Sequence, residues 1–237
     1  MAFDAFEAFG ACAGAAEINW ELASGKSGMY IVKRWLRILA MTALLAPAIA
    51  YSAPKTVLVL GDSLSAEYGL ARGAGWVALM ERRMKEQKID ATVVNASVSG
   101  ETTSGGRTRL PALLDKYHPS LVVIELGAND GLRGLPIKAA QDNLRAMVAT
   151  ADKAHTRVLL VGIRIPPNYG RDYTEKLYAM YGTLSKDLKT PLVPFMLEGV
   201  ADKRQLFQPD GLHPLAEAHP TILANIWPSL QKLLQSR

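Results

Sequence analysis

The chain has 237 residues, of which 49% are hydrophobic and 21% are charged, and its formal net charge is +5. This composition is typical of a soluble globular protein. Lysines and arginines are spread along the sequence in runs of no more than two. Nucleic acid is therefore not an expected partner, because nucleic-acid binding surfaces need clustered positive charge.

The N-terminal part of the chain is predicted to lie outside the folded domain. A basic stretch at residues 29–37 is followed by an almost purely apolar stretch at residues 38–50 that ends in small residues. This is the layout of a secretory signal peptide, with cleavage expected between Ala50 and Pro54. The apolar stretch is shorter than the ~20 residues of a bilayer span and Pro47 interrupts it, so no stable membrane span is expected after cleavage. An uncleaved N-terminal anchor is the alternative.

Residues 1–28 precede this segment, although signal peptides begin at the N-terminus. We therefore expect translation to begin at Met29 and the upstream residues to be a gene-start artefact. Residues 29–53 are then the signal peptide, and residues 54–237 are the periplasmic or secreted domain. The only cysteine, Cys12, lies upstream of that domain, so no disulfide and no cysteine zinc site are expected in it.

From residue 54 onward, short apolar runs alternate with segments of helical periodicity, which predicts alternating strands and helices. The predicted strands are 56–60, 92–95, 121–126, 158–163 and 192–194. The predicted helices are 76–88, 107–117 with Pro111 in its first turns, 139–155, 174–188 and 216–234. This alternation predicts a single three-layer α/β/α domain around a parallel five-stranded sheet.

Polar residues follow three of the predicted strands and precede the last helix. They form the blocks Gly61-Asp62-Ser63-Leu64, Ser99-Gly100, Gly127-Ala128-Asn129-Asp130 and Asp210-Gly211-Leu212-His213. The carboxyl ends of parallel strands meet at one edge of a sheet, where ligands bind, so the first three blocks are expected to converge there. Each block also has an ordinary explanation as a helix cap, a turn or a loop.

Together the blocks supply the groups that acyl transfer needs. Ser63 is the candidate nucleophile and His213 the candidate base, with Asp210 placed to orient the imidazole. The backbone N–H groups of Ser63 and Gly100 and the side-chain amide of Asn129 are the candidate donors to a developing oxyanion.

Other polar residues near the blocks are interpreted as structural. A further carboxylate at the oxyanion site would repel the developing charge, so loop-shaping or structural roles are expected for Asp62, Glu125 and Asp130. Surface or capping positions are expected for the remaining histidines, His118, His155 and His219.

The four blocks resemble those of the SGNH, or GDSL, hydrolases, whose Ser, Gly, Asn and His correspond to Ser63, Gly100, Asn129 and His213. Longer segments resemble the periplasmic branch of multifunctional thioesterases, proteases, lysophospholipases and arylesterases; they are residues 61–66, 94–100, 125–134 and 164–170. The resemblance covers nearly all of residues 54–237. It implies a flavodoxin-like fold and hydrolysis of acyl esters and thioesters without a metal or other cofactor.

The resemblance also implies residues beside the acyl site. The loop at residues 131–134 matches a mobile segment, which makes Leu132 and Arg133 candidate substrate-binding residues. Ile165 matches a position that lines the acyl-chain groove. Glu67 departs from the small residue of close relatives and stands near Ser63 in sequence, so we hypothesise that it disfavours anionic head groups.

Three functions remain open at this point. The first is an esterase, thioesterase or lysophospholipase that acts as a monomer on small acyl substrates. The second is a carbohydrate or peptidoglycan O-acetyl esterase, and the third is a non-catalytic lipid-binding module. Apolar Ile163, Ile165 and Pro166 favour a longer acyl chain over an acetyl group.

Overall fold

The computed structural model describes residues 55–235; the predictions for residues 1–28 and for the signal peptide at residues 29–53 lie outside this range. The strands are β1 (Lys55–Gly61), β2 (Ala91–Asn95), β3 (Leu121–Glu125), β4 (Arg157–Val161) and β5 (Leu192–Val193). The α-helices are α1 (Trp76–Glu86), α2 (Thr103–Tyr117), α3 (Ala128–Leu132), α4 (Ile137–Lys153), α5 (Arg171–Leu188) and α6 (His219–Gln235). The predicted three-layer α/β/α architecture with a parallel five-stranded sheet is confirmed.

Helices cover the sheet on both faces. Helices α2, α4 and α5 pack side by side on one face, and α1 packs against α6 on the other. Every residue of β3 is buried, as are the last five residues of β1, which is why these strands are nearly continuous apolar runs. No helix within residues 55–235 is long and apolar enough to cross a membrane.

The order of the strands determines where a ligand can bind. The sheet runs β2-β1-β3-β4-β5, so the direction of strand addition reverses between β1 and β3. Such a switch point leaves a crevice outside the carboxyl ends of the two strands. Gly61 at the end of β1 pairs with Glu125 at the end of β3, and the segments carrying Ser63 and Asn129 therefore start side by side.

Four helices begin at residues other than those predicted: α2, α4 and α5 begin earlier, and α6 begins later. Helix α2 begins earlier, at Thr103, because Asp130 accepts hydrogen bonds from the backbone N–H (2.9 Å) and the hydroxyl (2.6 Å) of that residue. Thr102 also caps the helix through a hydrogen bond from the N–H of Gly105. Pro111 consequently lies in the helix interior rather than in its first turns. Helix α6 begins later than predicted, after a separate turn of 3₁₀ helix.

The start of α1 is capped by two side chains, one from the preceding segment and one from the last helix. Gly75 precedes the helix and offers no side chain, but its N–H donates to the carboxylate of Glu67 (2.8 Å). The N–H of Trp76 donates to Nδ1 of His219 (3.0 Å), the first residue of α6. These two contacts satisfy backbone donors that every helix N-terminus leaves free, and the second connects α1 to the last helix.

Candidate active site

The structure brings the side chains of Ser63, His213 and Asp210 into contact. Ser63 lies in the turn after β1, and His213 lies in the loop before α6. Nε2 of His213 is 2.9 Å from the Ser63 hydroxyl oxygen, and its Nδ1 is 2.6 Å from Oδ2 of Asp210. The imidazole therefore bridges a hydroxyl and a carboxylate, which is the geometry of a nucleophile, a general base and an orienting acid.

The loop that carries His213 is held in shape by several hydrogen bonds. Oδ1 of Asp210 accepts from the backbone N–H groups of Leu212 (2.9 Å) and His213 (3.0 Å). The guanidinium of Arg204 donates to three consecutive carbonyls of the loop, those of Phe207, Gln208 and Pro209. The position of the imidazole is thus fixed by the backbone as well as by its own contacts.

The Asp210 carboxylate remains charged at any ordinary pH. Partial burial raises its pKa, but hydrogen bonds from the backbone N–H groups of His213 and Leu212 and from the His213 ring outweigh burial and lower the pKa to about 2. A permanent negative charge at this position stabilises an imidazolium when His213 accepts a proton.

Tyr68 is a neighbour of the imidazole that the sequence did not identify. Its ring centroid lies 4.3 Å from that of His213, with an interplanar angle of 39°. Its carbonyl accepts a hydrogen bond from the side chain of Gln208 (2.9 Å), which ties the turn after β1 to the histidine loop. Tyr68 therefore covers one side of the imidazole and restricts its rotation.

The two other candidate oxyanion residues come from different segments: Gly100 lies in the loop after β2, and Asn129 lies in the short helix after β3. Asn129 is in the first turn of α3, and its amide nitrogen donates to Oδ2 of Asp62 (3.1 Å) and to the carbonyl of Glu101 (3.0 Å). Gly100 has a φ of +79°, which favours glycine, and is exposed. Its carbonyl accepts a hydrogen bond from Arg133 (2.9 Å).

A cavity of about 690 Å³ opens beside Ser63. Asn129 and His213 line it next to the nucleophile, and Leu132 and Ile165 are among its apolar walls. Arg133, the other residue implied to bind substrate, does not line this cavity and contacts Gly100 instead.

The cavity ends near β4 and β5, on the side away from Ser63. The wall at that end was not predicted from the sequence. The guanidinium of Arg164 lies 3.8 Å over the ring of Tyr178 and 5.8 Å from that of Phe195. The three residues come from the segment after β4, from α5 and from the segment after β5, and all line the cavity. The site therefore extends along the carboxyl edge of the sheet from β1 to β5.

Within residues 55–235, the structure shows no contact through which Glu67 would disfavour anionic head groups in the cavity. Its backbone has a φ of +60°, and its carboxylate accepts hydrogen bonds from the N–H groups of Gly73 and Gly75. Glu67 does not line the cavity. Its charge serves to hold the segment before α1.

Two of the remaining histidines have the capping positions expected of them. His118 ends α2 in the left-handed conformation, with its N–H donating to the carbonyl of Leu114. His219 is buried and accepts a hydrogen bond from the N–H of Trp76.

Buried carboxylates lie beneath the candidate site. Asp62 and Glu125 are 0% and 1% exposed, respectively. Oε2 of Glu125 accepts from the hydroxyl of Ser65 (2.7 Å) and from the N–H of Asp62 (3.3 Å). Burial, and then the proximity of Asp62, raises the pKa of Glu125 well above its ordinary value, while burial raises the pKa of Asp62 to about 6. Burial therefore disfavours the charged form of both carboxyl groups.

The chain is similar to known ester hydrolases. A family model described as the GDSL-like Lipase/Acylhydrolase family matches residues 59–220. The chain is 50% identical over 183 residues to the esterase TesA of Pseudomonas aeruginosa, covering 77% of this chain and 91% of that protein. It is 43% identical over 183 residues to thioesterase 1/protease 1/lysophospholipase L1 of Escherichia coli K12, covering 77% of this chain and 86% of that protein.

A solved structure is similar in sequence and in fold. The crystal structure of the psychrotrophic esterase EstA from Pseudoalteromonas sp., inhibited by monoethylphosphonate, is 43% identical and superposes with a TM-score of 0.73. The match covers 77% of this chain and 100% of that one. The resemblance to SGNH, or GDSL, hydrolases is thereby confirmed, and the chain belongs to the GDSL-like lipase/acylhydrolase family of ester hydrolases.

Proposed function

We propose that this protein hydrolyses carboxylic esters and thioesters of apolar acyl chains, including lysophospholipids, through an acyl-serine intermediate on Ser63. The observation that carries the proposal is the contact chain from Ser63 through His213 to Asp210 at the edge of the cavity. Relatives named esterase and thioesterase/lysophospholipase support the same classes of substrate.

In the first half of the reaction, Oγ of Ser63 attacks the acyl carbonyl carbon while Nε2 of His213 accepts the hydroxyl proton. The new C–O bond turns the carbonyl oxygen into an oxyanion. The bond to the leaving oxygen or sulfur then breaks, and the proton on His213 passes to that atom. An alcohol or thiol leaves, and the acyl group remains on Ser63.

In the second half, water replaces the leaving group. Nε2 of His213 accepts a proton from the water as its oxygen attacks the acyl-serine carbonyl, and a second oxyanion forms. The bond to Oγ breaks, the proton returns from His213 to Ser63, and a carboxylic acid is released. Asp210 keeps its charge throughout and stabilises the imidazolium in both halves.

The backbone N–H groups of Ser63 and Gly100 and the amide of Asn129 hold the oxyanion in both halves. Donors of this kind accelerate acyl transfer because they stabilise a charge that exists only in the transition state and the intermediate. All three donors are neutral, so they stabilise the oxyanion through hydrogen bonds alone.

The cavity supports an acyl chain much longer than acetyl. Its lining runs from the segment after β1 to the segment after β5, which is three strand spacings or roughly 14 Å. An extended chain advances about 3.6 Å for every three bonds, so this length accommodates about ten to twelve carbons. Leu132 and Ile165 contact the chain along the way, and Arg133 acts from outside the cavity by holding Gly100.

A periplasmic or secreted location and a monomeric state belong to the same proposal. The location is supported by the basic and apolar pattern of residues 29–53. A monomer is supported by the completeness of the site, since its side chains come from a single chain.

The test is a series of p-nitrophenyl esters from acetate to palmitate, hydrolysed by the protein and by Ser63→Ala. We expect kcat/KM to rise with chain length up to about ten to twelve carbons, by at most about fourfold for each buried CH₂, and to level off beyond. The Ser63→Ala variant should leave only background hydrolysis at every length.

The other outcomes separate the alternatives. Activity confined to the acetyl ester would support an O-acetyl esterase and contradict the proposal. Binding of long-chain ligands without hydrolysis of any ester would support a lipid-binding module.

A further inference from the structure

The amide of Asn129 has two N–H groups, and both are engaged in this structure. One acceptor is the carboxylate of Asp62 at 3.1 Å, and the other is the backbone carbonyl of Glu101 at 3.0 Å. A charged acceptor binds an N–H more strongly than a neutral carbonyl does. The bond to Asp62 is therefore the stable one, and the bond to Glu101 is the one that an oxyanion, itself charged, can displace.

Asp62 is itself firmly held. It is 0% exposed, and its Oδ1 accepts a hydrogen bond from the N–H of Leu64 (3.0 Å) while its Oδ2 faces Asn129. Both oxygens of one carboxylate are thus used, one by the turn that carries Ser63 and one by the amide.

We propose that Asp62 is a positioning residue that fixes the plane of the Asn129 amide, so that the N–H now bound to Glu101 is presented to the oxyanion. This rests on the proposed function, in which Asn129 is an oxyanion donor. Asp62 was expected only to shape its loop. In this proposal it also affects catalysis, through the side chain of Asn129.

Titratable groups face Asp62 from several elements. Glu125 faces it from the end of β3, Asp130 from α3 and His213 from the loop before α6, while the buried hydroxyl of Tyr181 lies in α5. Burial raises the pKa of Asp62 to about 6, against the lowering effects of Leu64, His213 and Asn129. With a pKa of about 6, Asp62 is mostly ionised at neutral pH, and its Oδ2 remains an acceptor for the Asn129 amide.

The variant that tests the proposal is Asp62→Asn. An asparagine has one acceptor oxygen, so it can accept from Leu64 or from Asn129 but not from both. Its NH₂ group would then face another N–H donor, and the Asn129 amide would lose its fixed plane. We expect kcat to fall by about 10²–10³, the usual loss for one oxyanion donor, with KM changed by less than about threefold because ground-state binding is untouched.

A double-mutant cycle with Asn129→Ala distinguishes positioning from a structural role. If Asp62 acts through the amide, Asp62→Asn should cost nothing further once the amide is gone. Losses that multiply in the double variant would overturn the proposal. Wild-type kcat in Asp62→Asn, combined with a loss in Asn129→Ala, would overturn it while leaving the proposed function intact. Wild-type kcat in Asn129→Ala would instead contradict the oxyanion role on which both rest.

Ser65→Ala is the matched control for loosening of the buried polar cluster. The Ser65 hydroxyl contacts Glu125 and the indole of Trp76, and it does not contact Asn129. This variant should lower the thermal unfolding temperature while keeping kcat within about threefold of wild type. A kcat loss in Ser65→Ala as large as that in Asp62→Asn would show that general loosening is the cause, which overturns the proposal.

A second variant and a wild-type measurement cover the case in which Asp62→Asn does not fold. Asp62→Ala removes the acceptor without adding a donor, and the same kcat loss is expected. In the wild-type protein, the two side-chain amide protons of Asn129 can be assigned in NMR spectra by their absence from Asn129→Ala. Slow exchange of these protons with water is expected, because both are hydrogen-bonded; exchange as fast as that of an exposed asparagine would overturn the proposal.

Discussion

Replacing Ser63 or His213 by alanine is expected to lower kcat for a p-nitrophenyl ester by about 10⁴–10⁶, and replacing both to cost no more than either alone. The two residues act as one unit, because the hydroxyl is a weak nucleophile until the imidazole 2.9 Å away accepts its proton. Without the base the hydroxyl is inert, and without the hydroxyl the base has no nucleophile to activate.

Steady-state kinetics on the three variants measures this result. His118→Asn is the control, since His118 lies at the end of α2 in the left-handed conformation that asparagine tolerates. It should have wild-type kcat. More than about 1% residual activity in Ser63→Ala or His213→Ala, or losses that multiply in the double variant, would mean that the two residues do not form this unit.

Replacing Asp210 by asparagine is expected to lower kcat by about 10⁴ with little change in fold. An asparagine oxygen can still accept from the backbone N–H groups of Leu212 and His213, which preserves the loop. Its NH₂ then faces Nδ1 of His213, so that Nδ1 must be unprotonated and the proton moves to Nε2. The imidazole is then in the wrong tautomer to accept the Ser63 proton.

The comparison uses kcat, KM and thermal unfolding of Asp210→Asn beside Asp115→Asn, which removes an exposed carboxylate from α2. Asp115→Asn should be indistinguishable from wild type. A loss of less than about tenfold in Asp210→Asn would indicate that the backbone alone orients the imidazole, contrary to the tautomer argument.

The architecture and the candidate blocks were predictable because the patterns that encode them are local. The apolar run of β1 stops at Gly61, and that of β3 stops just before the block containing Asn129, so parallel strands predict a shared edge. The order β2-β1-β3-β4-β5 then brings Ser63 and Asn129 together. His213 follows from its spacing to Asp210, which suits a turn that places a carboxylate against the ring.

What the sequence did not predict depends on contacts between distant segments. The start of α2 depends on Asp130, a residue beyond the next strand. The ring of Tyr68 against His213 and the bond between Asp62 and Asn129 join residues that no local period connects. Glu67 is near Ser63 in sequence, but its carboxylate binds the backbone N–H groups of Gly73 and Gly75.

The most direct test of the account is intact-mass and peptide mass spectrometry of the protein quenched during turnover of p-nitrophenyl decanoate. A transient decanoyl adduct on Ser63, formed with a burst of about one equivalent of p-nitrophenol and absent from Ser63→Ala, is the predicted result. An adduct on another residue, or turnover by Ser63→Ala at the wild-type rate, would contradict it.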